Sequence, residues 1–377
     1  MSFLKFTPSV FVVDDEYEIV VVAEKNSIIS INIWGKEFYE ENSGVLSSEK
    51  NYAKIRVSQG LLNRAGHYFV VCREAVNRKG YFSEIGEPQT QKFTFKPLTK
   101  KTDVNIYHVA DVHYNYEVAL KTATYFGDDT DLYIFNGDIG EVETVENYYE
   151  TLKFTGDVTG GKIPAIFTRG NHDARGKLAE KYTEYFPAVG KNVYFTFAIG
   201  CLNGLVLDCG EDKKDDHTDY SYPNPHVYNG VNRFAEYRQR ELNWLRKTEI
   251  CNKDKITFAI SHICPSMATT VKNSCSDIEH ECYMAWNKEL ERMGVKFMIC
   301  GHIHNAMILY KDSEKNILPH EYPIIIGSKL YKEKYVGGRV IVEKYYGAAI
   351  TVNPDKIDVK FTDQDKEVLE SHVIKLN

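Results

Sequence analysis

The hydrophobic pattern of this 377-residue chain changes near residue 100, and this change limits the folds that the chain can adopt. Before residue 100, polar and apolar residues alternate in short runs, for example at 54–57 and 92–95, and turn residues separate the runs. Alternation of this kind is typical of strands with one buried face. It predicts an antiparallel β-sandwich over residues 1–100. The expected strands lie at 9–13, 17–24, 28–34, 52–58, 67–76 and 91–96.

The pattern beyond the Lys-Pro-Leu-Thr-Lys-Lys segment at 96–101 is different. Short apolar runs, which we expect to be buried strands, now alternate with stretches of helical spacing such as 142–154, 177–186 and 234–247. Strands interleaved with helices favour a layered α/β domain, which we expect to cover residues 101–377. From about residue 338 the chain again has the pattern of strands. Two domains are the expectation for a chain of this length.

Charge and hydropathy exclude several classes of protein. The formal net charge is −7 and no basic stripe occurs, so we do not expect nucleic acid as a partner. The apolar runs at 11–13 and 19–22 are separated by acidic residues, which fits neither a signal peptide nor a membrane span. We therefore expect a cytoplasmic chain without a membrane partner. Its eight cysteines contain no C-x-x-C pair, and reduced thiols are expected.

Five short motifs follow expected strands of the α/β region. In an open α/β sheet, side chains at the carboxyl ends of the strands meet at one edge, so we expect these motifs to converge. Their carboxylate, imidazole and amide groups are ligands for first-row divalent metals such as Zn, Fe and Mn. The motifs are Asp111-Val112-His113, Gly137-Asp138, Gly170-Asn171-His172-Asp173, Ser261-His262 and Gly301-His302-Ile303-His304.

Taken in this order, the motifs resemble those of the calcineurin-like metallophosphoesterase family: D-x-H, G-D, G-N-H-D/E, H and G-H-x-H. The resemblance implies two packed sheets flanked by helices, with two divalent metal ions (Mn, Fe or Zn) bridged by Asp138. It implies that one ion is held by Asp111, His113, Asp138 and His304, and the other by Asp138, Asn171, His262 and His302. The N-terminal strands resemble an immunoglobulin or fibronectin type III-like module in pattern only.

The same resemblance implies a reaction, the hydrolysis of a small-molecule phosphomonoester or phosphodiester by a hydroxide that bridges the metals. His172 would protonate the leaving group or hydrogen-bond the transition state, and Asp173 would orient His172 and favour its charged form. Purple acid phosphatases, which also carry an N-terminal β-domain, have Asp-x-Gly at the first motif and a ligand Tyr after the second. Here those positions are His113 and Glu141. We therefore expect no Tyr–ferric centre, and metal identity stays open.

Residues beside the motifs are candidates for binding the substrate. Arg169 and Arg175 flank the third motif; each suits a bidentate contact with phosphate or an ion pair with a nearby carboxylate, and Arg175 is the better candidate. The polar segment 210–230 is too long for an ordinary connection, which makes Tyr228 and His226 further candidates.

Two other functions are compatible with these motifs. A nuclease is disfavoured by the acidic net charge. A non-catalytic scaffold of the same fold would be expected to have lost metal ligands, whereas this chain has a candidate at every position of the pattern. The sequence leaves the oligomeric state open.

Overall fold

The first hundred residues form strands, as predicted, together with one short helix that the pattern did not indicate. The computed structural model describes residues 2–140, 142–218, 228–250, 254–267, 279–336 and 339–376. Helix α1 (Gln59–Ala65) ends at Gly66, whose φ of +62° is favourable for glycine. The strands are β1 (Ser9–Val13), β2 (Glu16–Val22), β3 (Ser27–Ile33), β4 (Lys36–Tyr39), β5 (Glu41–Asn42), β6 (Val45–Leu46), β7 (Tyr52–Ser58), β8 (His67–Asn77), β9 (Glu84–Ile85) and β10 (Gln89–Thr94).

The rest of the chain alternates strands and helices. The helices are α2 (Tyr116–Ala123), α3 (Val145–Thr159), α4 (Tyr182–Tyr185), α5 (Phe234–Lys247) and α6 (His280–Arg292), and short 3-10 turns lie at Gly127–Asp129, His172–Ala174, Ala179–Lys181 and Pro265–Met267. The strands are β11 (Val104–Val109), β12 (Leu132–Asn136), β13 (Ala165–Thr168), β14 (Phe195–Ile199), β15 (Leu202–Leu207), β16 (Ile256–Ser261), β17 (Phe297–Cys300), β18 (Met307–Leu309), β19 (Ile324–Ile326), β20 (Lys329–Tyr331), β21 (Lys334–Val336), β22 (Arg339–Ile341), β23 (Lys344–Val352), β24 (Lys356–Thr362) and β25 (Val368–Lys375).

A large central sheet has the order β25-β24-β23-β11-β12-β13-β1-β2-β7. Its middle strands β11, β12 and β13 are parallel and almost wholly buried, which accounts for their continuous apolar sequences. A second sheet has the order β14-β15-β16-β17-β19-β18, and β15, β16, β17 and β19 run parallel in it. A third sheet, β10-β8-β3-β4, belongs to the N-terminal region.

The central sheet crosses the predicted domain boundary at residue 100. Strand β1 pairs in parallel with β13, with Phe11 opposite Ala165, and β2 and β7 continue the sheet outward. The third sheet packs on these strands through residues such as Ile31 and Val70, so the N-terminal strands form two layers, one of which is part of the central sheet. The division into 1–100 and 101–377 therefore does not separate two cores. Alternation within a strand reveals its buried face and not its neighbour, so the sequence pattern missed this continuity.

The layers stack as helices, sheet, sheet and helices. Apolar residues of all three sheets share one core, for example Ile134 of the central sheet, Ile260 of the second and Ile31 of the third. Helices α2 and α3 cover the other face of the central sheet, and α5 and α6 cover the outer face of the second sheet. This arrangement confirms the predicted fold class, a layered α/β sandwich with an N-terminal β-rich region. None of the helices in the described part of the chain is long and apolar enough to cross a membrane.

Candidate metal centre

The predicted ligands lie where the carboxyl ends of the two parallel sheets meet. Asp111 and Asp138 follow β11 and β12 of the central sheet, while His262 and His302 follow β16 and β17 of the second sheet. Asn136, the last residue of β12, donates from Nδ2 to the carbonyl of Ser261 at 3.2 Å and so joins the two edges. The ligands therefore stand on strand ends rather than on long loops, which suits a site that needs fixed geometry.

The structure brings all seven predicted metal positions together. Three overlapping groups have ligand atoms within 4.8 Å of one another: Asp111 with His113 and His304, His113 with Asp138 and His172, and Asp138 with His262 and His302. Asn171 joins the third group, since its Oδ1 lies 2.9 Å from Nδ1 of His302. Asp138 and His113 each belong to two of the groups, and of these two only Asp138 carries a carboxylate, whose two oxygens can reach two ions.

Two buried carboxylates dominate the electrostatics of the centre. Asp111 and Asp138 are buried, and Nε2 of His262 lies 3.6 Å from the first and 3.2 Å from the second. Burial alone would raise the pKa of Asp111, but His262 and His304 lower it to about 2. Burial would lower the pKa of His262, but the two carboxylates raise it to about 10. The carboxylates thus stay ionised and attract positive charge to this point.

The remaining ligand atoms fit a cation. Nε2 of His113 lies 3.2 Å from Nε2 of His304. Burial lowers the pKa values of His113 and, to about 4, of His302, so these two rings offer lone pairs. Burial also opposes the charged form of His304, but Asp111 raises its pKa to about 9. The Asn171 amide directs its oxygen toward His302. If the amide were rotated by 180°, its nitrogen would donate to Asp138 and His302, and its oxygen would accept from Arg175. With its oxygen inward, Asn171 can accept a hydrogen bond from Nδ1 of His302 or offer that oxygen to a cation, and oxygen–nitrogen sets of this kind bind first-row metals.

The backbone at the centre is held in an uncommon conformation. Asp111, His113, Asp138, His302 and His304 all have φ between +45° and +69°. Such non-glycine residues cost on the order of 1–3 kcal/mol each and concentrate at functional sites, where the fold enforces them.

The motif glycines allow two of these turns to touch. A Cβ on Gly137, whose φ is +76°, would lie 2.6 Å from Cα of Gly170 and 2.6 Å from Nδ1 of His262. A Cβ on Gly170 would overlap the carboxylate of Asp138. Side chains at either position would push the second and third motifs apart, so close contact requires glycine at both, and the positive φ adds to the requirement at Gly137 alone.

Two residues that the sequence analysis missed support the ligands. Ser328, which is fully buried, donates from Oγ to Oδ2 of Asp111. Glu333 lies 3.3 Å from Nδ1 of His304 through its Oε1, so it can accept the hydrogen of that nitrogen and fix the ring. Both come from the segment after β19, and neither lies in a recognisable motif, so only the fold reveals them.

The structure changes the expected role of Asp173. Its Oδ2 accepts the backbone N–H groups of Gly170 at 2.7 Å and Asp138 at 3.0 Å, which ties the second and third motifs together. The described contacts of this carboxylate are therefore with backbone rather than with the His172 ring. Burial, with the nearby Asp138, raises the pKa of Asp173 to about 7. The prediction that Asp173 orients His172 is not supported by this geometry.

His172 itself borders the centre. Its side chain is 40% exposed, Nε2 lies 4.0 Å from Oδ2 of Asp138, and its backbone N–H donates to Oδ1 of Asp138. Burial lowers the pKa of His172 to about 4, and Arg175 adds to this effect against the opposing attraction of Asp138. The neutral ring is thus favoured. A neutral His172 disagrees with the charged form that we expected. Of the two predicted roles, it favours a hydrogen bond to the transition state over protonation of the leaving group.

The two arginines differ in what they contact. Arg169 is engaged by both oxygens of Asp208, at 3.3 and 2.5 Å, and its guanidinium lies 5.5 Å from the ring centre of Phe234. This favours the structural ion pair over the phosphate contact. Arg175 is fixed by Glu211, at 2.6 Å from each of its oxygens, yet its Nη1 reaches Nε2 of His172 at 3.3 Å. Of the two arginines, only Arg175 has a described hydrogen-bond contact with a predicted site residue, His172.

Some predicted features fall outside the described residues. They include His226, the side chain of Glu141 and most of the central part of the 210–230 segment. Tyr228 is described and lies beside Arg175, lining the same cavity.

Two packed sheets that carry Asp, Asn and His at their adjoining carboxyl ends define a metallophosphoesterase. The model of the calcineurin-like phosphoesterase family matches residues 104–306, more than half of the chain, and the chain belongs to this family. No curated protein sequence matches it.

Solved structures share the fold at low sequence identity. A purple acid phosphatase from seeds of yellow lupin (Lupinus luteus) is similar with a TM-score of 0.60 and 10% identity, over 98% of this chain and 74% of that one. A structure of PhoD is similar with a TM-score of 0.56 and 10% identity, over 99% of this chain and 89% of that one. Both matches include the N-terminal β-rich region, so these proteins have a comparable overall architecture.

Proposed function

We propose that this chain hydrolyses a small-molecule phosphate ester, a monoester or a diester, with two divalent metal ions at the Asp138 centre. The observation that carries the proposal is the pair of ligand groups that share Asp138, one with His262 and His302 and the other with His113. Membership of the calcineurin-like phosphoesterase family supports a hydrolase. The ions are proposed to be Mn, Fe or Zn because the ligands are nitrogen and oxygen atoms.

Each residue of the centre has a proposed part. Asp111, His113, Asp138 and His304 would hold one ion, and Asp138, Asn171, His262 and His302 the other. Two such ions, when bound, lower the pKa of water and stabilise negative charge on a phosphoryl group. Glu333 and Ser328 would keep His304 and Asp111 in position, and Asp173 would hold the two motif loops together.

His172 is proposed to act on the substrate. Its partly exposed ring borders the centre, and in the neutral form it can donate one N–H to the leaving-group oxygen or to a phosphoryl oxygen as charge develops there. Arg175, held by Glu211, would keep a positive charge beside that point. A hydrogen bond present only in the transition state raises the rate rather than the affinity for substrate.

The test compares an aryl phosphate monoester with the matching diester, using protein loaded with Mn²⁺ and an Asp138→Ala control. Faster monoester cleavage would indicate a phosphatase, and faster diester cleavage a phosphodiesterase. Metal binding without turnover of either ester would contradict the proposal and favour the non-catalytic scaffold.

A further inference from the structure

A cavity of about 640 Å³ opens beside the metal centre on the side of His172. Arg175 lines this cavity and also reaches His172 at 3.3 Å, so it borders both the centre and the cavity. Glu211, a second lining residue, accepts two hydrogen bonds from Arg175 and fixes its guanidinium. A group attached to a phosphate at the centre would therefore extend past Arg175 into this space.

The size and walls of the cavity suit an organic ring system. Pockets of about 300–1,000 Å³ typically hold small-molecule ligands and bury most of their surface. Phe234, Tyr228 and Val231 supply aromatic and aliphatic surface along one side. A short, polar alcohol such as glycerol would leave most of this surface without a contact.

The charges around the cavity balance. Arg175 is paired with Glu211 and Asp212, and Asp212 also with Lys213. Arg169 is paired with Asp208, while Lys177 and Glu180 contribute one charge of each sign. A ligand with a large net charge beyond its phosphate would meet no complementary field there. The cavity therefore suits an uncharged group.

Asn232 adds a specific polar requirement. It lines the cavity, and its Oδ1 is buried with no hydrogen-bond donor within reach among the described residues. A buried acceptor without a donor costs roughly 1–3 kcal/mol. A ligand that offers an N–H or O–H group would satisfy it.

We infer that this cavity binds the leaving group of the ester, an uncharged, ring-bearing alcohol of about nucleoside size with at least one hydrogen-bond donor. The inference rests on the proposed phosphoesterase function and narrows its substrate class. It assigns Phe234 and Asn232 as residues that determine specificity and Arg175 as the residue between the leaving group and the phosphate.

Binding can be measured without catalysis, with adenosine as the probe. Calorimetry on the full chain should detect adenosine binding, and Val231→Trp, which fills the cavity, should weaken it at least tenfold. Val231 is 74% exposed, so the larger side chain can be accommodated without disturbing the core. Val368→Trp is the matched control, because Val368 is also exposed and lies on β25, an edge strand of the central sheet. It should bind adenosine as the unmodified chain does.

Turnover supplies the second readout. The Mn²⁺-loaded protein should have a kcat/KM for adenosine 5′-monophosphate at least tenfold above that for glycerol 3-phosphate. Val231→Trp should reduce the first value by a larger factor than the second. Asn232→Ala should raise the KM for the nucleotide with little change in kcat.

Failure of the cavity assignment differs from failure of the proposed function. Absence of adenosine binding, equal binding to Val231→Trp, or equal turnover of the two esters would overturn the assignment. If neither ester were hydrolysed, the proposed function would be contradicted for monoesters, and the calorimetry alone would decide whether the cavity binds the ring-bearing group.

Discussion

At the scale of single residues, the centre depends on side chains that hold ligands as well as on the ligands themselves. Glu333 is 27% exposed and contacts Nδ1 of His304, whose Nε2 faces Asp111 at 3.6 Å. The second nitrogen of a metal-bound imidazole is usually fixed in this way, because the contact selects the tautomer and the ring orientation. Supporting residues of this kind can affect metal affinity strongly while remaining invisible to a motif search.

Replacing Glu333 with Gln should weaken metal binding by about 10–100-fold, because the carboxylate that accepts from His304 is lost. Metal titration followed by calorimetry measures the effect. Glu74→Gln is the matched control, since Glu74 is a partly exposed glutamate on β8 of the third sheet that pairs with Lys25. Equal affinities in the two variants would show that Glu333 does not support His304.

His172 and its neighbour Asn171 should separate chemistry from metal binding. His172→Ala should lower kcat by roughly 10²–10⁴-fold, the range for a lost acid–base or proton-donating group, with metal content near that of the unmodified chain. Asn171→Ala should lower both turnover and metal content, because an inward-facing ligand atom is removed. Metal analysis by mass spectrometry beside the rate measurement distinguishes the two. A metal-free His172→Ala protein would show that His172 is a ligand.

At the scale of elements, the approach of the second and third motifs sets the geometry. Gly170→Ala places a methyl group against the Asp138 carboxylate. Overpacking of this kind typically costs about 1–3 kcal/mol, and here relief requires Asp138 to move. We expect a lower free energy of unfolding in denaturant and a loss of metal affinity. Gly80→Ala, where a Cβ meets nothing within 4 Å, should change neither quantity. Normal metal binding by Gly170→Ala would contradict the close packing of the two motifs.

The sequence predicts an element well when the residues of that element carry its periodicity and its turn residues flank it. Strands β1 and β7 and helix α5 have the predicted bounds because their periodicity and turn residues are local. The expected helix at 177–186 is instead a 3-10 turn followed by the one-turn α4. The hairpin of β14 and β15 was missed as well. Strand β15 is wholly buried and shows no alternation, whereas β14 alternates buried and half-buried residues over only five positions.

The site shows the same division between local and distant signals. The seven metal positions and His172 were predictable because each belongs to a short motif at a strand end, where sheet geometry brings the ends together. The contacts of Asp173, Arg169 and Glu333 were not, because their partners lie elsewhere in the chain or on the backbone. The sequence left two roles open for Arg169, a contact with phosphate or an ion pair with a carboxylate. The fold pairs it with Asp208.

At the scale of the whole molecule, metal binding and folding should be coupled. Buried Asp111 and Asp138 attract positive charge, so ions bound only by the folded state should stabilise it. At about 100 times Kd, one ion adds about 2.7 kcal/mol to the free energy of unfolding. Chelation should therefore lower Tm, and Mn²⁺ should restore it. Asp138→Ala should remove the response to Mn²⁺, whereas an unchanged Tm upon chelation of the unmodified chain would contradict the coupling.

The continuity of the central sheet leads to a prediction about truncation. Strands β1, β2 and β7 extend that sheet beyond β13, and Phe11 packs edge-to-face on Phe167 at 5.7 Å between ring centres. Removing residues 1–100 would expose the edge of β13 and a face of the shared core. A chain that begins at residue 101 should consequently fail to give a cooperative unfolding transition by circular dichroism, even though the family match begins at 104.

The full-length Phe11→Ala variant tests the same continuity without truncation. Removing a buried Phe costs about 3–5 kcal/mol, and because both regions share one core, the whole chain should still unfold in one transition at lower denaturant. Two separate transitions, with metal release tied only to the second, would instead show that the N-terminal region folds as an independent domain.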